Sequence, residues 1–454
     1  MKYLTADIIA EITNGKYVGE QSDRHIEIMG AARDNREVKP GNLFVCIRGT
    51  RVDGHSFANS AFEAGAVCCL AEIDIPDAKG PYVLVPSTLE AIKTIGGYYR
   101  SLFSIPVIGI SGSVGKTTTK EMTAAVLGSK YSVLKTPENL NNELGVPLTL
   151  LSLNESHEAA VIEMGISDFG EMSRLAEMVK PDVCILTTIG HSHLETLGSP
   201  KGVLKAKSEV FDFMQATGTA ILNGDDELLR NFEPGMDKIL FGYEDHNDIR
   251  AENIVSAGTE KLSFDIVCES WRIEACISSY GLHLPMAALA AAAAGRLLGL
   301  SSDEILQGLS SYEPIDGRAK VTDTGYITLI DDCYNANPNS VKSALSSLSA
   351  LSNRKVAILG DMLDLGEMSQ QLHREIGEFA AGNGVDLLLC HGENAAFIYE
   401  SFISSKGTFG KYFQKKEDLI AAIPEQIKKG DAVLVKASHS MSFDEFLPAL
   451  NGLE

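Results

Sequence analysis

The strongest chemical signal in the sequence is a glycine-rich segment, GISGSVGKTTT at residues 109–119, which follows an apolar run and precedes a helical pattern. Glycines let backbone N–H groups close around phosphate oxygens, and the N-terminus of the next helix adds positive potential. Lys116 would reach the β- and γ-phosphates of a nucleotide, and Thr117 would ligate Mg²⁺. Ile110 stands where the full Walker pattern has a glycine, and a turn with an incidental lysine is the alternative. The candidate phosphate-binding residues are Gly112, Ser113, Val114, Gly115, Lys116, Thr117 and Thr118.

Two further candidates stand at the ends of apolar runs. Glu163 closes the run 159–163, and His193 follows the run 183–187. The carboxyl ends of parallel strands open onto the ligand crevice of α/β folds. A carboxylate and a neutral imidazole there suit a Mg²⁺ ion beside a triphosphate. Taken singly, such a glutamate is more often a solvated carboxylate at a strand end, and such a histidine is more often a surface or capping residue.

Several polar segments flank the predicted strands and helices. Turns, helix caps and solvated surface are the plain alternatives, since Asn and Asp often bond to the nearby backbone at such positions. The candidates are Asn139, Asn141 and Asn142; Lys205 and Lys207; Asn223 and Asp226; Asp332, Tyr334, Asn335 and Asn337; and Lys436 and Ser438.

The elements that must position these residues are predicted from apolar runs that alternate with helical patterns. The central runs are 107–110, 159–163, 183–187, 219–222 and 238–241, as expected of parallel strands covered on both faces. Residues 253–278 alternate with period two, which predicts an antiparallel ribbon. Pro285 occupies a favoured first helical position, and the helix is predicted to run to about Leu298.

The same alternation returns at 327–331, 355–359, 387–390 and 432–436, and a smaller unit precedes it with runs at 43–47, 67–71 and 82–85. Thr5 can cap a first helix, and Pro106 marks a boundary. The sequence therefore predicts an α/β fold of three domains. They are a small N-terminal α/β domain (1–104), a central P-loop parallel-sheet domain with an antiparallel ribbon (105–312), and a C-terminal Rossmann-like α/β domain (313–454).

Composition disfavours several functional classes. The 454 residues include 39 Lys+Arg and 61 Asp+Glu, a net charge of −22, which argues against nucleic acid and anionic membranes as partners. The longest apolar stretch, 284–295, is too short for a bilayer, and Asp7 and Glu11 interrupt any signal peptide. The 8 cysteines have no CxxC spacing, which indicates reduced thiols. We expect a cytoplasmic monomer without stable membrane insertion.

Taken in order, these motifs resemble those of the Mur ligases, the ATP-dependent amide ligases of bacterial cell-wall synthesis. The order GxxGKTTT, NxNN, ExG, HLE, AKxE, NxDD, GR and DxYNANP covers essentially the whole chain. DDCYNANPNS (331–340) and GDMLDLG (360–366) are similar to the member that joins D-alanyl-D-alanine to UDP-N-acetylmuramoyl-tripeptide. The resemblance implies those two substrates, ATP and Mg²⁺ as cofactors, and an acyl-phosphate intermediate. The implied products are UDP-N-acetylmuramoyl-pentapeptide, ADP and phosphate, in peptidoglycan precursor synthesis.

The resemblance also implies roles for single residues. Lys116, Glu163, His193 and Lys207 would be catalytic, with Thr117 and Glu163 at one Mg²⁺ and His193 at a second. Lys207 matches a lysine that the family carbamylates to hold the second metal, and Lys205 is its rival. The implied ATP contacts beyond the glycine-rich segment are Asn223, Asp226, His283 and Arg318. The implied substrate contacts are Asp34, Asn35, Arg36, Gly49, Asp53 and His55 for the uridine nucleotide, and Asn139, Asn141, Asn142, Asp332, Tyr334, Asn335, Asn337, Lys436 and Ser438 elsewhere.

The sequence departs from the family pattern at three places. Asn35 stands where the family often has Ser or Thr, and the KGSR-type motif is here Lys436-Ala-Ser-His439. The family's HNxxN motif is here HLPMA, so that Leu284 and Ala287 replace both asparagines. The resemblance therefore implies that the family's adenine contacts are weakened or replaced.

Three alternatives remain open. The first is an amide ligase that adds another amino acid, such as the diaminopimelate- or lysine-adding enzyme or folylpolyglutamate synthetase. The NANP sequence and the absence of a DNPR-type motif argue against it. The second is a P-loop kinase or switch without ligation, although no NKxD-type guanine motif is present. The third is a degenerate paralogue that only binds.

Overall fold

A computed structural model describes residues 3–49, 52–257 and 261–454 of the protein. Three mixed sheets follow one another along the chain, with five, nine and six strands. The three-domain α/β architecture predicted from the sequence is confirmed. The boundaries at residues 104 and 312 stay predictions.

The first sheet has the strand order β1-β5-β4-β3-β2, in which only β1 is antiparallel to its neighbour. Thr5 caps the first helix as predicted, since its side chain accepts a hydrogen bond from the Ile8 N–H. The strands are β1 Lys16–Val18, β2 Gly30–Ala32, β3 Asn42–Val45, β4 Cys68–Ala71 and β5 Tyr82–Leu84. The helices are α1 Ala6–Ile12, α2 Ala58–Glu63 and α3 Thr88–Ser101.

The second sheet is largely parallel, and the predicted antiparallel ribbon extends it at one edge. Its strands are β6 Val107–Ser111, β7 Val133–Lys135, β8 Ala159–Glu163, β9 Val183–Leu186, β10 Thr219–Asn223, β11 Asp237–Gly242, β12 Ile249–Ala257, β13 Lys261–Cys268 and β14 Arg272–Ile277, in the order β14-β13-β12-β11-β10-β9-β6-β8-β7. The helices are α4 Lys116–Gly128, α5 Gly145–Leu150, α6 Glu171–Val179, α7 Leu194–Leu197, α8 Pro200–Ser208, α9 Glu227–Arg230, α10 Leu284–Leu297 and α11 Ser302–Ser310.

The third sheet has the order β15-β16-β20-β17-β18-β19, parallel except for β15. Its strands are β15 Lys320–Asp323, β16 Thr328–Asp331, β17 Lys355–Leu359, β18 Leu387–His391, β19 Gly410–Phe413 and β20 Ala432–Lys436. The helices are α12 Pro338–Ser349, α13 Ser369–Gly382, α14 Ala395–Ser404, α15 Lys416–Gln426 and α16 Leu447–Asn451.

The helix that follows the glycine-rich segment is packed tightly. The alanines of α10 are buried in one core with Met122, Val126 and Leu127 of α4. A Cβ on Gly308 of α11 would lie 2.3 Å from the Val126 Cα, so glycine permits that close approach. Small residues on α10 and α11 thus fix α4, and with it the segment that precedes it.

All 8 cysteines are free thiols, and six of them are buried. Of the helices in the described ranges, none has the length and apolar character that crossing a bilayer requires.

Candidate functional site

The glycine-rich segment forms the turn between β6 and α4. β6 ends at Ser111 and α4 begins at Lys116, at the carboxyl edge of the second sheet. Gly112 has a φ of +144°, and a Cβ there would lie 1.9 Å from Thr187 Oγ1. Gly115 caps α4 with a φ of 83°. Glycine is needed at both positions, and the turn presents the N–H groups of the first helical turn to an anion.

The Lys116 side chain lies over this turn. Its Nζ donates a hydrogen bond of 2.9 Å to the Gly112 carbonyl. Burial lowers the pKa of Lys116, Glu163 opposes that shift, and Arg318 adds to it. An anion bound at the turn would therefore gain a strong partner, because the ammonium is buried with little compensating charge.

The Glu163 carboxylate stands beside the turn at the end of β8. It is buried, with 1% of the residue exposed. Its Oε1 accepts hydrogen bonds from Asn141 Nδ2 at 2.8 Å and from Thr117 Oγ1 at 3.3 Å. Its Oε2 has no hydrogen-bond donor among the described residues. A buried carboxylate oxygen without a donor is costly unless a cation or a ligand satisfies it.

This arrangement fits a hard cation better than a transition metal. Mg²⁺ prefers oxygen ligands and keeps several waters or phosphate oxygens, and Glu163 Oε2 and Thr117 Oγ1 supply two oxygens beside the anion site. In the described part of the chain, no group of three or more His, Cys, Asp or Glu side chains could hold a metal ion. A cation here would therefore need oxygens from a bound ligand.

The two candidate lysines of α8 differ in burial. Lys207 is 1% exposed and has no hydrogen-bond or ion-pair partner among the described residues, whereas Lys205 is exposed. Burial lowers the pKa of Lys207 well below its usual range, the charge of Lys116 lowers it further, and Glu163 and Glu171 oppose the shift. Burial therefore makes the uncharged, nucleophilic form of the Lys207 amine easier to reach than that of an exposed lysine. Lys205 Nζ instead lies 5.8 Å from the centre of the Phe169 ring.

His193 directly precedes α7 and lies next to the region that contains the third sheet. Its backbone is left-handed, with a φ of 54°, and its Nδ1 lies 3.7 Å from Asp364 Oδ2. Burial lowers its pKa, and the charges of Lys116 and Lys207 act in the same direction. The imidazole is therefore neutral at pH 7 and able to act as a ligand.

The segment 332–337 leaves β16 and contacts the glycine-rich turn directly. Asn337 caps α12 by accepting from the Ser340 N–H at 2.9 Å, and its Nδ2 donates to the Ser113 carbonyl at 3.3 Å. Lys436 lies 2.6 Å from Asp332 and donates to the Asn335 carbonyl at 2.8 Å. The ends of β16 and β20 therefore hold this segment against the candidate phosphate site.

Most of the residues described so far line one cavity of about 990 Å³. Arg318 also lines it, with its guanidinium 3.6 Å from the centre of the Tyr334 ring. The first sheet's region contributes Ile47 and Leu89. The predicted residues in the wall are Ser113, Val114, Gly115, Lys116, Thr117, Thr118, Asn141, Asn142, Glu163, His193, Asn223, His283, Arg318, Asp332, Tyr334, Asn335, Asn337 and Lys436.

Other candidates lie outside this wall. The Asp226 carboxylate caps α9 and accepts from the Ile189 N–H at 2.6 Å, which is the capping alternative left open by the sequence. Ser438 accepts from the Leu363 N–H at 2.9 Å. The full set outside the wall is Asp34, Asn35, Arg36, Gly49, Asp53, His55, Gly112, Asn139, Lys205, Lys207, Asp226 and Ser438.

The uridine candidates lie around the first sheet. His55 Nδ1 lies 2.5 Å from Asp53 Oδ1, and its Nε2 accepts from the Glu72 N–H at 2.8 Å. Asp34 pairs with Arg36, whose hydrogen bonds lower the pKa of Asp34 to about 2. His55 thus uses both ring nitrogens within the protein, while the Arg36 side chain is exposed.

The sequence did not single out several residues that shape the cavity. Lys120 is fully buried, and its Nζ donates to the Thr136 carbonyl at 2.8 Å, which anchors the loop that carries Asn141. Asn339 accepts from the His191 N–H at 3.3 Å. Lys120 directly follows GKTTT, but only its burial distinguishes it from a surface lysine. Asn339 and Asp364 lie in the segments 331–340 and 360–366 that carry the family resemblance, but their contacts reach residues far away in the sequence, so these contacts were not predicted.

Comparison with known proteins decides the family. Three family models match: "Mur ligase family, catalytic domain" at residues 26–95, "Mur ligase middle domain" at 110–295, and "Mur ligase, glutamate ligase domain" at 317–439. The UDP-N-acetylmuramoyl-tripeptide–D-alanyl-D-alanine ligase of Bacillus subtilis is 37% identical over 454 residues, 98% of each chain.

The chain belongs to the Mur ligase family. This Mur ligase is also similar to solved structures. MurF from Acinetobacter baumannii is 29% identical with a TM-score of 0.89, over 98% of both chains. MurF from Thermotoga maritima in complex with ADP is 27% identical with a TM-score of 0.80, over 93% of this chain and 97% of that one.

Proposed function

We propose that this Mur ligase joins D-alanyl-D-alanine to UDP-N-acetylmuramoyl-tripeptide, with ATP converted to ADP and phosphate. The relative from Bacillus subtilis that bears this activity in its name aligns over nearly the whole chain. The observation that carries the proposal is the direct contact between the glycine-rich turn and the segment 332–337, through Asn337 and Ser113. A phosphate site and a polar acceptor site thus share one cavity.

ATP fits the turn between β6 and α4. The N–H groups of α4's first turn and Lys116 would hold the phosphates, and Arg318 would add a second cation. Thr117 and Glu163 would hold one Mg²⁺. His193 and a carbamate formed on Lys207 would hold a second. Bound Mg²⁺ would neutralise charge on the transferring phosphoryl group.

The residues of the chain support a two-step ligation. A carboxylate oxygen of the tripeptide attacks the γ-phosphorus, and the bond to ADP breaks, which gives an acyl phosphate. The dipeptide amine then attacks the acyl carbon, phosphate leaves, and the amine loses a proton. Lys116 balances charge in the first step, while the segment 332–337 orients the amine and excludes water. For these two successive attacks, the protein mainly has to align the reacting groups and place positive charge next to the phosphoryl group.

The carbamate follows from the state of Lys207. The ammonium first loses a proton, the free amine attacks the carbon of CO₂, and the product loses a second proton, so that a cationic side chain becomes an anionic carbamate. The buried position favours this change, because Lys116 stands close enough to lower the pKa of Lys207 and would instead attract an anion. A carbamate would also give the second Mg²⁺ the oxygen ligand that the described residues do not supply.

We assign the uridine nucleotide to residues 1–104, and ATP and the dipeptide to 105–312 and 313–454. Ile47 and Leu89 of the first region line the cavity, so a substrate held there can reach the phosphate site. Asp34, Asn35, Arg36, Gly49, Asp53 and His55 remain the proposed uridine contacts. A monomeric state and a cytoplasmic location are also proposed, and light scattering after gel filtration tests the first.

The test is phosphate release from ATP with UDP-N-acetylmuramoyl-tripeptide and D-alanyl-D-alanine, each omitted in turn. Release only with both, together with a UDP-linked pentapeptide, supports the proposal. Glycine and L-alanyl-L-alanine serve as control amines. Release that requires a different amine would favour a ligase for another amino acid, and release without any amine would favour a P-loop nucleotidase.

A further inference from the structure

The cavity has two unlike sides, which the strand order of the second sheet separates. β6 carries the glycine-rich turn. On one side of β6 lie β8 and then β7. Glu163 is the last residue of β8, and Asn141 lies in the loop after β7. On the other side lie β9, β10 and β11. Since the turn holds the phosphates, the metal and acyl chemistry occupies the β8 side, and the nucleoside must extend to the β10–β11 side.

The β10–β11 side of the cavity is apolar. We call it the base wall and define it as Phe241, Tyr243, Tyr280, Leu282, Met286 and Ala287, all of which line the cavity. The first two come from the end of β11, and the other four from the start of α10 and the segment before it. Such a surface binds a planar aromatic base by burial and stacking.

The polar groups of the base wall are engaged within the protein. Tyr243 donates its hydroxyl to the Leu282 carbonyl at 2.8 Å, and Tyr280 donates its hydroxyl to the Ser347 carbonyl at 2.6 Å. Asn223, which borders the wall, donates to the Thr187 carbonyl at 2.9 Å and accepts from the Asp225 N–H at 3.0 Å. These groups are thus oriented by the protein and not by a base.

Two polar side chains that line the cavity on this side have no side-chain hydrogen bond among the described residues, and both are adaptable. Thr188, which follows β9, has a buried hydroxyl that can donate or accept. His283 lines the cavity, and burial lowers its pKa, so that its imidazole is neutral. A neutral imidazole donates from one nitrogen and accepts at the other, and it can exchange the two roles. It therefore offers a donor to guanine O6 as readily as an acceptor to adenine N6.

We propose that this enzyme discriminates weakly between purine bases, and that this is because the Ala287 side chain offers no hydrogen-bonding group to the base. The inference rests on the proposed function. An apolar pocket separates similar ligands by only about 10- to 200-fold, whereas a site built to hydrogen-bond a ligand rejects the wrong one by about 10⁴-fold or more. The base wall is of the first kind. GTP therefore serves as a second phosphoryl donor.

The first test compares kcat/KM for ATP and GTP in ligation by the full chain. A ratio below about 200 supports the inference, and a higher ratio overturns it. Calorimetric titration with MgADP and MgGDP measures the same preference without turnover. If neither triphosphate supports ligation but both diphosphates bind alike, the ligase assignment fails and the weak discrimination stands.

The second test places an amide in the base wall. Asn can pair in a bidentate manner with adenine N6 and N7, but not with guanine, which presents two acceptors there. Ala287→Asn should therefore raise the ATP-to-GTP ratio at least tenfold. Ala287→Leu fills similar space without an amide and should weaken both nucleotides while leaving the ratio unchanged. Thermal melting verifies that both variants fold, and an unchanged ratio in a folded Ala287→Asn variant contradicts the inference.

Discussion

Burial decides what individual side chains of this enzyme can do. Lys205 and Lys207 lie two positions apart on α8, yet only Lys207 is enclosed near Lys116 and Glu163. The motif AKxE favours Lys207, but the chemistry depends on its missing counter-ion and its lowered pKa. Glu163 shows the opposite case, a buried carboxylate with one oxygen satisfied by Thr117 and Asn141 and the other left for a cation.

Replacing Lys207 tests the carbamate proposal. Lys207→Ala should lower kcat on the order of 100-fold or more, because a charged group at the reacting centre is lost. Added acetate or another short carboxylate should restore part of the rate by supplying the missing oxygens. The matched control is Lys205→Ala, whose exposed side chain should be dispensable. Phosphate-release kinetics measure both, and a fully active Lys207→Ala enzyme would rule the carbamate out.

Glu163→Gln tests the proposed Mg²⁺ site. The amide keeps the size of the side chain but lacks the negative charge, so Mg²⁺ should stabilise bound ADP much less than in the unaltered enzyme. We expect the loss of ADP affinity to appear only when Mg²⁺ is present, as measured by calorimetry with and without the metal. Equal losses in both conditions would show that Glu163 acts on the fold and not on a cation.

The packing of the helices and strands fixes the positions of the side chains in the phosphate site and the proposed metal site. α4 is clamped between the small residues of α10 and α11. Lys120 on the same helix reaches the Thr136 and Glu138 carbonyls, which hold the loop with Asn141 next to Glu163. The phosphate site and the proposed metal site are therefore parts of one rigid unit.

Lys120→Met should loosen this unit. It leaves the buried Thr136 carbonyl without a donor and the Glu121 carboxylate without the ammonium 2.8 Å away, and the lost carbonyl bond alone costs about 1–3 kcal/mol of unfolding free energy. The KM for Mg²⁺ should rise as the Asn141 loop moves, while Lys201→Met, at an exposed position of α8, should change neither quantity. Urea unfolding and Mg²⁺ titrations measure the two effects. An unchanged stability would mean that water replaces the Lys120 ammonium.

The N-terminus of α12 combines two roles in Asn337 that can be separated. Asn337→Asp keeps the cap on α12 but loses the donor to the Ser113 carbonyl, so stability should hold while kcat/KM for the dipeptide falls. Asn337→Ala loses both and should also cost about 1 kcal/mol of stability. Melting temperatures and steady-state kinetics measure the pair. Full activity of Asn337→Asp would argue that the contact with Ser113 is incidental.

The sequence predicts the central strands and the glycine-rich turn. The strands that it does not predict share one physical property, which is their position in the sheet. Each strand that has no counterpart among the predicted runs, namely β1, β2, β7, β15 and β19, lies at a sheet edge. Edge strands are only partly buried, as in β7 and β19, so they lack a continuous apolar run. Interior strands such as β6 and β8 are buried along their whole length and are readily recognised.

The residues of the candidate site could be predicted where they belong to one local motif. Contacts between segments that are far apart in the sequence could not be predicted. The glycine-rich turn, Glu163 and the 332–337 segment are local. Asp226 caps α9, and its contact with ATP stays a prediction, because an aspartate after a turn serves either purpose. Asp364 lies near His193, and Asn339 contacts His191. Both contacts depend on how the region of the third sheet packs against that of the second, so neither segment alone predicts them.

Across the complete chain, three sheets contribute to one cavity. The second sheet supplies the phosphate site, the third supplies the segment 332–337, and the first reaches the wall with Ile47 and Leu89. Contacts between the second and third regions involve predicted site residues, since the binding candidates Ser113 and Asn337 contact each other and the catalytic candidate His193 lies near Asp364. Acyl transfer in this enzyme therefore depends on all three regions being assembled together.

The most direct test of this account follows the oxygen of the tripeptide carboxylate. UDP-N-acetylmuramoyl-tripeptide is labelled with ¹⁸O in the carboxylate that is ligated, and phosphate released with ATP and D-alanyl-D-alanine is analysed by mass spectrometry. An acyl phosphate requires one labelled oxygen to leave with each phosphate. Unlabelled phosphate would show that water, and not the carboxylate, attacks the γ-phosphorus, and it would contradict ligation through an acyl phosphate.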